Sequence, residues 1–438
     1  MNEIREIPKG WTKAIFEDLL DYIQPTKFIV ESTEYDDKYK TPVLTAGKSF
    51  IIGHTNETNG IFNEIPVIIF DDFTTATKFV NFPFKVKSSA MKILSPVGKL
   101  VNIKYVFGYM QTLRINADTH KRYWISHYSQ LPIPVPPLPE QHRIVAKIEE
   151  LFSSLDKGIE SLKTAQQQLQ VYRQAVLKWA FEGKLTNRNV VEGELPDGWK
   201  WVKLGEVCTN VEYGSAAKSK EIGKVPVLRM GNIQGGKIDW DDLVYTDDEI
   251  EINKYLLRKN DVLFNRTNSP EWVGKTAMYK GERPAIFAGY LIRINRIEAL
   301  IDASYLTYYL NSHIAKKYGN SVKSFGVNQA NINGTKLKTY PLPLPLLSEQ
   351  HEIVAEIESR LSVCDKIEES IEHSLKQSEA LRQSILKKAF EGKLVSQDPN
   401  GEPASVLLDR IKAEREKSKL ETPPRRQAGQ IKAKKAKS

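Results

Sequence analysis

Between Glu140 and Leu185 the apolar residues recur at alternating intervals of four and three. Ile144, Ile148, Leu151, Leu155, Leu162, Leu169, Tyr172 and Val176 follow that spacing, and Gly158 and Ala165 fill the two remaining places. The pattern keeps one helical face apolar and marks a helix that pairs with another. A second run, Glu349 to Leu394, carries Ile353, Ile357, Cys364, Ile367, Ile371, Leu381 and Ile385 in the same register, with Arg360, Ser374 and Ser378 interrupting it. Pro139 suits the first turn of the first helix, and Ser348 is placed to cap the second. Gly183 and Gly392, each followed by lysine, predict the two helix ends. About 42 helical residues at roughly 1.5 Å each predict rods of some 60 Å.

The two runs are copies of one another. They align without a gap at an offset of 209 residues, with 24 identities in 46 positions. A proline-rich stretch leads into each, at Leu131 to Pro139 and Pro341 to Leu347. Fainter echoes open each half: Ile7-Pro8-Lys9-Gly10-Trp11 against Leu195-Pro196-Asp197-Gly198-Trp199, and Pro42-Val43-Leu44 with Gly47 against Pro226-Val227-Leu228 with Gly231. The chain therefore divides into a domain (1–139), a helix (140–186), a second domain (187–348), a second helix (349–395) and a tail (396–438). Like helices make like contacts, which predicts an antiparallel coiled coil with pseudo-twofold symmetry and like partners for each copy. Unlike domains on such a frame should bind unlike things.

Both domains read as mixed α and β, so the chain is α+β overall. Strands are expected at Pro66–Phe70, Phe79–Phe82, Met91–Leu94, Val225–Met230, Asp261–Phe264 and Ala285–Ile294, and helix at Ala303–Tyr318. Val101–Met110 reads as strand or short helix. Several loops are suited to base edges. Arg229, Asn232 and Gln234 follow a strand beside permissive glycines, and are the side-chain types that match guanine and adenine in the major groove. Arg266 and Asn268 end another strand, with Lys275 nearby. Asn328, Gln329 and Asn331 form an amide-rich loop. The first domain offers Thr45, Lys48, Thr74, Thr77 and Lys78 in corresponding places. Each of these residue types is also ordinary in turns.

Charge shifts this picture less than it first suggests. The net charge is +9, but Ser396–Ser438 holds 11 Lys and Arg against 6 Asp and Glu, so the other 395 residues carry only +4. A basic tail is more often a solvated, partly helical or disordered end than a reader. The two cysteines, Cys208 and Cys364, do not make a disulfide framework and suit a reducing cytoplasm. No apolar run approaches a membrane span, and the opening MNEIREIPKGW lacks the pattern of a secretory leader.

Catalytic signatures are missing. Gly47-Lys48-Ser49 imitates the end of a phosphate loop, but the partner glycine is replaced by Pro42. No Asp/Asn-Pro-Pro-aromatic motif for base methylation occurs, and no glycine-rich cofactor fingerprint follows a strand. Glu182-Gly183-Lys184 and Glu391-Gly392-Lys393 sit at helix ends, where a structural stop explains them. His142 and His351 each follow Glu-Gln at a helix start, without further ligands at metal spacing. The chain is expected to hold no cofactor and no metal.

From Trp11 to about Leu394 the sequence resembles the specificity subunit of type I restriction-modification enzymes. The resemblance rests on Pro-Leu-Pro-Glu-Gln and Leu-Leu-Ser-Glu-Gln at the helix entries. It rests also on Arg-Gln-Ala-Val-Leu-Lys and Arg-Gln-Ser-Ile-Leu-Lys before Ala-Phe-Glu-Gly-Lys-Leu, and on Gly-Val-Asn-Gln-Ala-Asn-Ile-Asn ahead of the second helix. It implies a non-catalytic protein whose two target-recognition domains each read one half of a bipartite, asymmetric site in double-stranded DNA. The helices would set the unspecified gap and dock two methyltransferase subunits, joined by motor-nuclease subunits. Adenine methylation with S-adenosylmethionine and ATP- and magnesium-dependent cleavage would reside in those partners. A self-sufficient restriction or modification enzyme and a coiled-coil scaffold without a DNA role are the alternatives. The first domain has no Val-Asn-Gln-Ala-Asn before its helix; Arg122-Tyr123-Trp124-Ile125-Ser126 stands there.

Overall fold

A computed structural model describes residues 7–45, 49–113, 123–187, 189–191 and 193–421. The chain forms two compact units, Met1–Glu160 with Leu375–Ser438, and Ser161–Ser374. Each of the two long helices, Leu138–Phe181 and Leu347–Phe390, therefore contributes one part to each unit.

In the first unit, β1 (Thr12–Ile15) pairs antiparallel with β9 (Pro132–Val135). A four-stranded sheet follows from β2 (Leu20–Ile23), β5 (Val67–Asp71), β6 (Thr77–Val80) and β8 (Met91–Pro96), in the order β2-β8-β5-β6. A three-stranded sheet has β3 (Thr41–Leu44) between β4 (Ile51–Thr55) and β7 (Lys85–Val86), the β3–β7 pair being parallel.

The second unit repeats this plan. Its strands are β10 (Lys200–Lys203), β11 (Cys208–Tyr213), β12 (Val225–Leu228), β13 (Ile233–Gln234), β14 (Lys237–Ile238), β15 (Val244–Thr246) and β16 (Val262–Asn265). They continue with β17 (Thr267–Asn268), β18 (Thr276–Met278), β19 (Ile286–Phe287), β20 (Leu291–Arg296), β21 (Ser324–Gly326), β22 (Gln329–Asn331) and β23 (Pro341–Leu344). The sheets β10-β23, β11-β20-β16-β18 and β15-β12-β19 match the first unit strand for strand, again with one parallel pair, β12–β19. Two small additions, β13-β14 and β17-β22-β21, are seen only here among the described residues.

The region left open between strand and helix is the helix Ile103–Met110, started by the Asn102 side chain, which accepts from the Lys104 and Tyr105 amides. The helical stretch from Ala303 breaks into Ala303–Asn311 and His313–Val322, because the buried Ser312 takes an extended backbone and caps the second piece by accepting from Ala315 N. Ala285–Ile294 divides into β19 and β20 around the turn at Gly289.

The same lock joins domain to helix in both units. Gln141 is buried. It donates to Pro136 O at 3.0 Å and accepts from Asn102 N at 3.0 Å. Its counterpart Gln350 donates to Pro345 O at 3.1 Å and to Leu300 O at 2.9 Å, and accepts from Asp302 N at 2.8 Å. Proline carbonyls one step earlier accept tyrosine hydroxyls: Tyr105 to Pro134 and Tyr109 to Pro132, Tyr305 to Pro343 and Tyr309 to Pro341. A phenylalanine from the end of a long helix then meets those tyrosines edge-on. Phe390 lies 5.2 and 5.1 Å from the rings of Tyr105 and Tyr109, and Phe181 lies 5.3 and 5.2 Å from those of Tyr305 and Tyr309. Burial drives the Tyr105 and Tyr305 hydroxyls far above the usual phenol range, so both remain donors.

Along the long helices, Ile144, Ile148, Leu169, Ile353, Ile357, Cys364, Ile371 and Ile385 are buried, and Leu155 and Leu162 are half-buried. Ile367 and Leu381 depart from the expected seam, being 44% and 51% exposed. The next residues, Glu368 and Arg382, turn inward instead because each meets an opposite charge. Glu368 is 2.9 Å from Arg173, which also holds Asp365 at 2.6 Å, and Arg382 pairs with Asp156 and lies over the Phe152 ring. Arg173 and Arg382 occupy one repeat position, and Asp365 and Asp156 another, so the ion pair is made twice with the roles exchanged. Ser348 lies inside the first turn rather than capping it, since the helix begins at Leu347. Gly183 and Gly392 end their helices at positive φ, with Lys184 N returning to Trp179 O and Lys393 N to Lys388 O. That is the Schellman arrangement, in which a side chain at the glycine would be strained.

The tail adds the helix Ala404–Glu421, whose Leu407, Leu408 and Ile411 enter the core of the first unit beside Trp11 and Phe16. Arg415 reaches the Glu17 carbonyl and the Asp21 carboxylate. Residues 422–438, expected as solvated tail, lie outside the described residues.

Replacing Gln350 by alanine strands two carbonyls and an amide in a dry setting, at about 3 kcal/mol. Hydrogen exchange is expected to speed up in the proline strand and in Ala303–Asn311, with the first unit unchanged; Gln141→Ala should show the converse. Uniform loss of protection across both units would contradict a lock local to each.

Candidate nucleic-acid interface

In the second unit, the turn after β12 buries Asn232 and leaves Arg229 partly exposed beside a surface carboxylate. The Asn232 side chain accepts from Arg229 N at 2.9 Å and donates to Asp239 O and Asp241 O at 3.1 and 3.0 Å, and it is 3% exposed. The Arg229 guanidinium is tied to the Asp242 carbonyl at 2.5 Å and its carboxylate at 3.1 Å. Asn232 thus shapes the loop that presents its neighbours.

Gln234 is exposed and meets Lys275. Lys275 Nζ donates to Gln234 Oε1 at 2.7 Å and stands 4.2 Å over the ring of Trp272, itself exposed. Burial, with Lys316 close by, lowers the Lys275 pKa. These groups border a cleft of about 980 Å³ within this unit, lined also by Asn311, Lys323 and helix residues such as Arg173.

A second group gathers around the strands added after β16. Arg266 donates to Gly289 O at 3.1 Å and lies 4.9 Å over Tyr213, leaving it half-buried. Asn268 accepts from Ser269 N, and Asn331 donates to Thr267 Oγ1 at 2.7 Å. Asn328 and Gln329 sit exposed at the β21–β22 turn, with Asn328 at φ 59°. The sequence residues thus fall into two clusters: Gln234 with Lys275, and Asn268 with Asn328, Gln329 and Asn331. Arg266 stands at the root of the second.

In the first unit, Asp71 Oδ1 accepts from the amides of Phe73 and Thr74 at 2.7 and 2.9 Å and builds the β5–β6 turn. Thr74 and Lys78 are exposed there, while Thr77 Oγ1 accepts from Gln111 at 2.7 Å. Thr45 is half-buried and returns its amide to Phe50 O. Lys48 lies outside the described residues, as does most of the segment before Tyr123. Beneath the turn, Lys92 is buried against Asp72 at 3.5 Å and Gln24 at 2.7 Å. This arrangement makes Asp71-Asp72 a structural feature.

Sequence reasoning missed Tyr213, Lys316 and Lys323, which the folding of distant segments brings beside the expected polar residues, and Trp272, which stands three positions before Lys275. The one legible trace was a lysine within a few residues of an aromatic. His142 Nδ1 lies 3.0 Å from Asn102 Nδ2, and His351 lies 3.8 Å from Asp302, so both stand at the helix entry. Among the described residues no group of three or more His, Cys, Asp or Glu side chains is placed to hold a metal ion. No helix among them is long and apolar enough to cross a membrane.

Two mixed domains on one plan, each tied to a repeated helix, define a duplicated recognition protein. The family model for the type I restriction modification DNA specificity domain matches twice, over residues 8–170 and 196–377. The chain belongs to that family and is a type I restriction-modification specificity subunit. It is 32% identical over 405 residues to the EcoR124I/EcoR124II specificity subunit of Escherichia coli, covering 87% of this chain and 91% of that one. It is 31% identical over 302 residues to the EcoKI specificity subunit of Escherichia coli K12, covering 66% of this chain and 65% of that one. In fold it is similar to a chain from a structure of type I restriction-modification complex assembly, with TM-score 0.66, 20% identity, and 89% and 99% coverage. The HsdS subunit of Thermoanaerobacter tengcongensis gives TM-score 0.52 at 19% identity, with the same coverage.

Asn232→Ala is expected to loosen the β12 turn and lower thermal stability by about 1–3 kcal/mol. Gln234→Ala should leave stability within about 0.5 kcal/mol, as an exposed substitution does. Differential scanning calorimetry of the two variants separates the roles; equal melting temperatures would refute the assignment.

Proposed function

We propose that this chain reads a bipartite, asymmetric target in double-stranded DNA, one half-site for each domain, and carries no catalysis itself. The observation that supports this most is the repetition of one strand plan under two unrelated sets of loops. A shared plan gives both domains one mode of approach, while different loops give different base preferences. In this reading the residues that meet DNA are Arg229, Gln234, Arg266, Asn268, Lys275, Asn328, Gln329 and Asn331 in the second domain, with the buried Asn232 shaping the loop that presents them. In the first they are Thr45, Lys48, Thr74, Thr77 and Lys78. Arg and Gln supply guanine and adenine contacts, and lysines neutralise phosphate.

The long helices pair as an antiparallel coiled coil with pseudo-twofold symmetry. The exchanged pairs Arg173–Asp365 and Arg382–Asp156 favour this, because a twofold contact is made once in each direction. Such a coil fixes the gap between half-sites and presents two like surfaces to two methyltransferase subunits, to which motor-nuclease subunits join. S-adenosylmethionine, ATP and magnesium belong to those partners, and the assembly works in the cytoplasm.

Mapping methylated adenines in cells that carry this chain with its methyltransferase tests the reading. A two-part, non-palindromic motif with a fixed gap is expected. Arg266→Ala should relax preference in one half only, by about 1–3 kcal/mol per lost base contact. Equal weakening on all sequences would make it a phosphate contact instead. Ile148→Asp, which buries a charge in the helix pairing, should abolish methyltransferase assembly or the fixed gap. A motif without a gap, or no methylation dependent on this chain, would overturn the proposal.

A further inference from the structure

The β21–β22 hairpin carries an apolar tip that base recognition by polar side chains does not use. Gly326 and Gln329 are paired, leaving Val327 and Asn328 as a two-residue turn, with Asn328 alone in the left-handed region. That region suits asparagine at the third position of a type II turn. Val327 is 93% exposed and Phe325, one strand position back, is 71% exposed. Turn tips are ordinarily polar, and adjacent large apolar groups held in water signal a surface that becomes covered.

The covering partner is identified by charge and shape. From Lys316 to Lys338 the chain has five lysines and no Asp or Glu. Lys323 stands 5.3 Å from the Phe325 ring and is held by Pro270 O and Asn320 Oδ1, both at 2.8 Å. Lys336 is held by Ser324 Oγ at 2.7 Å, at the hairpin's foot. The hairpin is thus apolar at its end and cationic at its base. A two-stranded ribbon fits the major groove, whose floor presents thymine methyls and whose walls are phosphate. The hairpin is also anchored where the base-reading candidates lie: β22 pairs with β17, and Ile332 N donates to Arg266 O.

We infer that this hairpin enters the major groove of the half-site read by the second domain. Val327 and Phe325 pack on apolar base edges, thymine methyls first, while Lys323 and Lys336 face the flanking phosphates. The inference rests on the DNA-reading proposal above and adds an apolar, specificity-determining contact to it.

The test measures binding of the complete subunit, assembled with its methyltransferase partners, to its mapped target duplex and to a scrambled duplex of equal length over a range of salt. Val327→Ser and Phe325→Ser are each expected to weaken target binding about tenfold. Binding to the scrambled duplex and the salt dependence should not change, because no charge is lost. Val327→Thr keeps the side-chain shape and should give a smaller loss in the same direction, which misfolding would not produce. Lys323→Gln should instead weaken both duplexes and reduce the salt slope by about one. Target binding unchanged in both serine variants, or an equal loss on both duplexes, would overturn the inference while leaving the reader role standing. A wild-type assembly that does not prefer its target would remove the reader role itself, and this inference falls with it.

Discussion

The buried glutamine at the start of each long helix holds the architecture together. Gln141 and Gln350 satisfy backbone groups from two directions at once, a carbonyl of the proline strand and the amide that opens a domain helix. Proline makes this possible. It withholds its own amide, so the strand's carbonyls are left to accept from outside, and buried tyrosine hydroxyls and the glutamine amide take them. An unpaired carbonyl there would cost what a lost hydrogen bond costs in a dry interior. The domain and its helix are consequently fixed by directional contacts rather than by apolar area alone, and the domain loops start from a rigid base.

Much of this was legible in the sequence, for an identifiable reason. Residues that act through local periodicity or exact repetition leave a trace in one dimension. The long helices, their glycine ends and the Glu-Gln entries are of that kind. The division at Ile367 and Leu381 was not legible, because apolar spacing alone favours the isoleucine and leucine. The inward turn of Glu368 and Arg382 depends on partners about 200 positions away. The shared strand order of the two domains was hidden for the same reason: sheets are set by pairings between distant segments, and within the four- and three-stranded sheets Pro-Val-Leu was the echo that the sequence comparison picked out.

The candidate interface was half legible. Amide and guanidinium groups can be picked out by type, yet type does not say whether a side chain faces outward. Asn232 and Gln234 lie two residues apart in one loop; the first is consumed by the turn and the second is exposed beside Lys275. Arg266 shows the intermediate case, with one hydrogen bond inward and an aromatic face on its other side. A turn needs a satisfied asparagine as firmly as a ligand needs a free one, and only the three-dimensional neighbours tell them apart.

Gly392 packs against Pro8 much as Gly183 packs against Pro196, and the amide of Ala404 returns to Gly10. Gly183 and Pro196 lie close together in the sequence, whereas Gly392 and Pro8 come from segments far apart in it. The same local contact is thus made once across a short connection and once across a long one. The close fit of glycine against proline therefore holds its geometry whether the two residues are near or far along the chain, and it does not depend on a short connection between them.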